Sequence, residues 1–326
     1  MTRLTAFLCL GLALSAASTL TRAQDTSVTT ATCQLRMATG KKGKGFSKLF
    51  SDLRKLCGSQ VQLCEVETEG GLQNTIALSA NDADIGFVQL DTLYAMKESD
   101  ENIAELQAII PAHANLLHIL VRRAGYIVPG ERGIATLWQR DDKTVVITKL
   151  SELKGLPVAV VGSAQLLGRM LDRDLGLGLK FSDTNSDEEA LNGLKSGAVA
   201  AVLSMNGWPS PTVDTLARDS GIGLAAYDFP VQAPFQLVRK NYAKLGYFSL
   251  SFLAAPNLLM TRPFKLDGQR GGYVAKLQRC IVDHLNELQE GPFEPAWKEI
   301  KHPDDVYGWS RFGQSTATGQ PRRGSP

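Results

Sequence analysis

The sequence predicts an α/β protein whose chain folds as two related halves, and three observations carry this. Short apolar runs alternate with amphipathic segments along most of the chain, the pattern of parallel strands joined by helices. One sub-pattern occurs twice, in EGGLQNTIALSANDADIGFVQ and in SDEEALNGLKSGAVAAVLSMNG: a helix with Leu, Ile or Ala at helical spacing, a turn of small residues, then a buried strand with polar residues at its carboxyl end. A hydrophobic content of 44% is enough to build two cores.

The elements follow in order. CQLRMA is the first strand, and GFSKLFSDLRKL then sets Phe46, Leu49, Phe50, Leu53 and Leu56 on one helical face. VQLCEV is the second strand, LQNTIALSA a short helix and IGFVQ the third strand. LQAIIPAHA and LLHILVRR continue the series, with Pro111 interrupting the first. Residues 124–149 lack helical periodicity and read as a hairpin or surface excursion. The second series has the strand PVAVV, a helix from Ala164 to Asp174, the segment LKFSD, a helix from Asp187 to Ser196 and the strand AAVLS. A helix from Pro211 to Ser220 and the strand GLAAY follow. FLAAPNLLMTRPF is an apolar segment, and a final helix from Gly271 to about Gln289 carries Val274, Leu277, Ile281, Leu285 and Leu288 on one face.

The ends read differently. Arg3, the run LTAFLCLGLAL and a small-residue stretch ending TRAQD form the three regions of a signal peptide over residues 1–23, with an apolar core too short to span a bilayer. The expectation is a periplasmic protein. Cleavage removes Arg3 and Arg22 and no acid, taking the formal net charge from +2 to zero. A neutral chain offers no electrostatic case for nucleic acid or an anionic membrane. The tail of residues 314–326 has no core-forming side chains and reads as disordered. Cys33, Cys57, Cys64 and Cys280 allow two disulfides in three connectivities, Cys57 with Cys64 being the pairing that clips a helix end to the next strand, and buried thiols are the alternative.

Open parallel sheets bind ligands beyond the carboxyl ends of their strands, where helix N-termini also point, so two such sheets facing each other would make a cleft. TGKKGKG, ETEGGLQN, the GFVQLDTLYA block, KLSELKGLPVAVVGS and NGWPSP occur in this order over residues 33 to 300. In this the chain resembles the TAXI family of TRAP-transporter solute receptors, which are type II periplasmic binding proteins. The resemblance implies a two-lobed Venus-flytrap fold, each lobe a mainly parallel sheet flanked by helices. Lobe I would comprise residues 31–114 and 250–313, and lobe II residues 115–249. No residue spacing forces a catalytic group together, so neither catalysis nor a cofactor is expected. The expected ligand is a small anionic organic solute, a carboxylate or amino acid, held between the lobes and passed to a TRAP permease. Closure would hinge near residues 113–118 and 228–249.

Carried across, the ligand-facing positions are Thr39, Gly40, Lys42, Glu69, Gly70, Gly71, Gln73, Gln89, Asp91, Gly162, Ser163, Gln165, Asn206 and Trp208. Lys41, Lys42 and Lys44 stand where the family has a glycine-rich loop, GSAQ stands for a GSGT-like turn, and Leu90 replaces a common Ser. These departures favour the alternative of a stand-alone sensor or carrier for a more apolar ligand.

The residues themselves add detail. A carboxylate over the helix beginning near Gly45 would gain free N–H groups and Lys42 or Lys44, or those lysines simply face solvent. TGKKGKGFSK spaces Gly40 and Gly45 as a phosphate loop does, but Phe46 stands where that loop needs its lysine. Gly70 and Gly71 let the backbone approach a ligand or form a plain turn at the start of a helix. Gln89 reads as a ligand contact and Asp91 as the N-cap of a helix starting at Thr92. Ser163 can receive an anion, but Val161 breaks the G-x-S-x-G nucleophile pattern. Trp208 stacks on ligand or packs. Arg169 reads as surface. Asp91, Glu69 and His113 are the only trio that suggests catalysis, and His113, His118, His284 and His302 have no metal spacing.

Overall fold

The computed structural model describes residues 33–130 and 142–314. The segments read as a signal peptide and as a disordered tail, apart from Gln314, and the middle of the excursion at 124–149 lie outside the described residues.

In chain order the elements are β1 (Leu35–Gly40), α1 (Gly45–Cys57), β2 (Leu63–Glu67), α2 (Gly71–Ser79), β3 (Ile85–Gln89), α3 (Leu90–Met96), α4 (Glu101–Ala104) and the long strand β4 (Gln107–Arg122). A hairpin of β5 (Tyr126–Val128) and β6 (Lys143–Val145) follows, then β7 (Pro157–Val161), α5 (Ala164–Leu175), β8 (Lys180–Thr184), α6 (Asp187–Ser196), β9 (Ala201–Asn206) and α7 (Pro211–Asp214). The chain ends with β10 (Ile222–Ala225), β11 (Gln236–Tyr242), β12 (Tyr247–Thr261), α8 (Gln269–Asp283) and α9 (Leu285–Glu290).

The sheet order is β2-β1-β3-β12-β4-β9-β7-β8, with β10 beside β4 and β11 beside β12. β1 pairs in parallel with β2 and β3, and β7 in parallel with β8 and β9. Each half of the α/β chain is thus a parallel set flanked by helices, and β4 and β12 run antiparallel between the two sets.

Packing marks where those two strands cross. Ile109, Ile110 and Ala112 of β4 pack with α1 and α8 in the first half, whereas Leu116 and Leu117 pack in the second. On β12, Leu253, Ala254 and Ala255 belong to the second half and Leu258 to the first. The second crossing therefore falls at Ala255–Leu258. The segment 228–249 lies wholly in the second half, where Phe229, Phe235, Tyr242 and Leu245 pack.

Several expectations change. Pro111 sits inside β4 without interrupting it, opposite Leu258, and Pro256 of β12 pairs with Ala114 beside a bulge. Proline lacks a donor, and the irregular register at that point accommodates the loss. The helix expected from Pro211 to Ser220 is the short α7, and the last helix breaks at His284 into α8 and α9.

The cysteines pair as Cys33–Cys64 and Cys57–Cys280, with Cα atoms 5.7 and 6.0 Å apart. Cys57 reaches α8 and not the adjacent strand because α1 lays its apolar face on α8 in the first core.

Candidate functional site

β3 is buried from end to end and delivers Gln89 to its carboxyl end, where α3 starts at once. Leu90 and Leu93 turn into the first-half core, which leaves Asp91 and Thr92 in the first turn on the helix's other faces. Asp91 is therefore not a cap: Gln89 is the N-cap residue of α3, and it makes no side-chain capping bond. α3 also packs on α5 of the second half, so these residues stand at the junction of the halves.

The neighbouring strand supplies the next group. Asn257 of β12 pairs in register with Gln89, and its Nδ2 donates to the His113 carbonyl at 2.6 Å. His113 lies on the crossing part of β4, its ring 5.6 Å from that of Phe46. From the second half, Gly207 comes so near that a Cβ there would stand 3.5 Å from His113 Nε2.

These side chains share one property. Gln89 Nε2, both Asp91 carboxylate oxygens, Thr92 Oγ1, His113 Nδ1 and Asn257 Oδ1 are buried without a hydrogen-bond partner among the described residues. Their residues are 1%, 1%, 0%, 6% and 0% exposed. Buried polar groups are ordinarily satisfied, so several orphans around one junction mark a place built to be completed by another molecule. Burial pushes the Asp91 carboxyl up to about 7, with the nearby N–H groups of Thr92 and Asp91 opposing. Burial lowers His113 and keeps it neutral, against the pull of the Glu299 carboxylate.

The sequence-derived residues divide into three groups. Gly40, Gly70, Gly71 and Gln89 come together, with Asp91 two residues beyond Gln89 on α3: a Cβ on Gly40 would lie 3.2 Å from Gly70, and one on Gly71 only 2.9 Å from Gln89 Oε1. The start of α2 thus presses on the Gln89 amide, and a residue larger than glycine displaces it.

A second group has other partners. Thr39 is buried but donates to Glu65 at 2.9 Å, and Ser47 donates to the same oxygen at 2.7 Å, so Thr39 ties β1 to β2 and α1. Lys42 is exposed, and its backbone N–H donates to Glu67 at 3.0 Å. Glu69, with its side chain 70% exposed, pairs with Lys41 at 2.6 Å. Gln73 is exposed and lines an outer recess of about 490 Å³ with Glu67, Glu69 and Asp82. Glu69 consequently does not join buried Asp91 as a catalytic trio would require.

The third group lies on the second half. Gly162, with φ of 58°, turns the chain from β7 into α5, and Ser163 and Gln165 open that helix with no side-chain cap. Arg169 pairs with Asp183 at the surface. Asn206 donates to Ser204 at 2.8 Å, while Trp208 is partly exposed beneath the Lys240 ammonium. A recess of about 330 Å³ joins the halves, from Lys44 on one side to Glu188, Asn192, Lys195 and Thr212 on the other.

Sequence reasoning missed Thr92 and Asn257 altogether and gave His113 no ligand role. Asn257 was hidden in the run FLAAPNLLM, where a polar residue amid apolar ones was the available signal.

No family model matches the chain, and no curated relative matches it. Among solved structures it is similar to an ancestral arginine-binding protein bound to arginine, at 14% identity over 82% of this chain and 98% of that one, with a TM-score of 0.49. It is also similar to a histidine kinase sensor domain with similarity to periplasmic binding proteins, at 12% identity over 82% and 93% of the two chains, TM-score 0.47. A third is the HisG:HisZ ATP phosphoribosyl transferase complex from Thermotoga maritima, at 12% identity over 76% and 99%, TM-score 0.43. These are a binding protein, a sensor and a transferase, and the function of this chain rests on its own residues.

Proposed function

We propose that the protein is a periplasmic solute-binding protein of the two-lobed type II kind. It captures a small organic solute, a carboxylate or amino acid, between its halves and delivers it to a TRAP-type permease. One observation supports this above the others: the unpartnered polar atoms of Gln89, Asp91, Thr92, His113 and Asn257 gather where β3, α3 and both crossing strands meet. A catalytic site would need a nucleophile beside a base or a facing pair of carboxylates. A binding site needs what is here, buried donors and acceptors held rigid by strands.

α1 and α5, one from each half, begin without a side-chain cap, as do α2, α3, α8 and α9, whereas Asp100, Ser186 and Ser210 cap α4, α6 and α7. Uncapped N–H groups suit a carboxylate. The connections at His113–Leu116 and Ala255–Leu258 are where the halves would bend about each other. The Lys44 to α6 recess would be the open remainder of the cleft.

Thermal shift across a library of organic acids and amino acids, followed by small-angle scattering with the best binder, tests the reading. The expected result is a raised melting temperature and a smaller radius of gyration with the same compound. A library that moves neither quantity would remove solute capture as the function.

A further inference from the structure

We propose that Asp91 is the counter-ion for a protonated amine on the solute, so the site selects amine-bearing compounds over those that carry carboxylates alone. This rests on the solute-binding reading and specifies its ligand. The chain shows elsewhere what a buried carboxylate looks like when the protein supplies its own cation. Asp84, at the start of the first half's third strand, is also buried, but it receives Arg36 at 3.1 Å and Arg270 at 3.3 Å, with Arg262 at 3.9 Å. Among the described residues Asp91 has no such partner: neither oxygen has a well-formed hydrogen bond, only the Thr92 and Asp91 N–H groups lie nearby, and no ion pair reaches it.

No lysine or arginine is buried among the described residues, and none of the exposed ones pairs with Asp91 as three do with Asp84. The shift of its carboxyl has burial as its cause and no charged side chain acting on it.

The donors and acceptors point the same way. Asp91 and Asn257 Oδ1 offer three acceptor oxygens, against one obligate donor in Gln89 Nε2. Thr92 Oγ1 and neutral His113 Nδ1 can serve either way. A carboxylate brings only acceptors and, once Asp91 ionises above about pH 7, would meet it as a like charge in a dry site. An ammonium brings three donors and a charge of the right sign. A carboxylate on the same molecule is then left to the uncapped starts of α1 or α5, not to that of α3, which carries Asp91.

The test compares putrescine, n-butylamine and L-alanine with propionate and succinate, by calorimetry on the wild-type protein and on Asp91→Asn. The variant keeps the shape and removes an unpaired buried charge, so it folds. At least one amine-bearing probe is expected to bind the wild type and to lose affinity about 30-fold or more in Asp91→Asn, with propionate and succinate weaker throughout. Propionate or succinate binding as well as the amines, or an amine indifferent to Asp91→Asn, overturns the inference while leaving solute capture standing. If none of the amine-bearing probes binds, the inference falls, and solute capture is then decided by the library screen.

Discussion

At the scale of single residues, two buried titratable groups set opposite pH dependences. Asp91 is protonated more readily in the folded chain than in the unfolded one, since burial pushes it from 3.8 up to about 7. Its contribution to stability is present in full below pH 3.8 and is lost as the pH rises to about 7. Asp91→Asn removes that loss and should leave the ligand-free protein more stable than wild type at pH 8.5, by up to about 4 kcal/mol. Urea unfolding at pH 5.5 and 8.5 would show it as a gap that widens with pH.

His118 behaves in reverse. Burial lowers it from 6.5 to about 4, and its neutral ring donates from Nδ1 to the Leu116 carbonyl at 2.9 Å while Nε2 accepts from the Tyr242 hydroxyl at 2.7 Å. That hydroxyl also accepts from the Ser210 N–H at 2.9 Å. The bond into His118 fails once the ring is protonated. The stability it provides is complete above pH 6.5 and is lost as the pH falls towards 4, on the order of 3 kcal/mol. In His118→Gln the acid limb of the stability curve should flatten; an unchanged limb would place the acid sensitivity elsewhere.

Among the elements, Gly71 and the two disulfides give the sharpest expectations. Gly71→Ala drives a methyl group towards Gln89 Oε1, so it should weaken solute binding about tenfold with little change in melting temperature, read by calorimetry and thermal unfolding together. Cys57–Cys280 closes a loop spanning 223 positions and Cys33–Cys64 one spanning 31. Replacing Cys57 and Cys280 by Ser should therefore cost about 5 kcal/mol in urea unfolding, and the same change at Cys33 and Cys64 about 4 kcal/mol.

The elements also show why part of the fold was legible. Period-3.6 patterns in α1, α5 and α6 and apolar runs in β3, β7 and β9 are local properties, and they appear where the sequence places them. β11 reads QLVRKNY: its burial alternates from Leu237 to Tyr242, but Leu237 faces out and Lys240 faces in, so its pairing with β12 leaves no trace in its hydropathy. β4 and β12 hide for a different reason. Each is apolar on both faces and contains a proline, a residue that locally argues against a strand and is tolerated here by an irregular register. In the candidate site, Gln89 and Asp91 were legible because they directly follow a buried strand. Thr92, His113 and Asn257 were not, since their burial depends on strands brought together from distant parts of the chain.

For the whole molecule, the claim is that two α/β halves meet over an incomplete set of polar atoms and that a solute completes it. A crystal structure of the protein soaked with whichever probe most raises its melting temperature tests this most directly. The account predicts that probe within hydrogen-bonding distance of Gln89 Nε2 and an Asp91 oxygen. A probe seated instead in the recess by Glu67 and Gln73, with the Gln89 and Asp91 atoms still lacking partners, would contradict it.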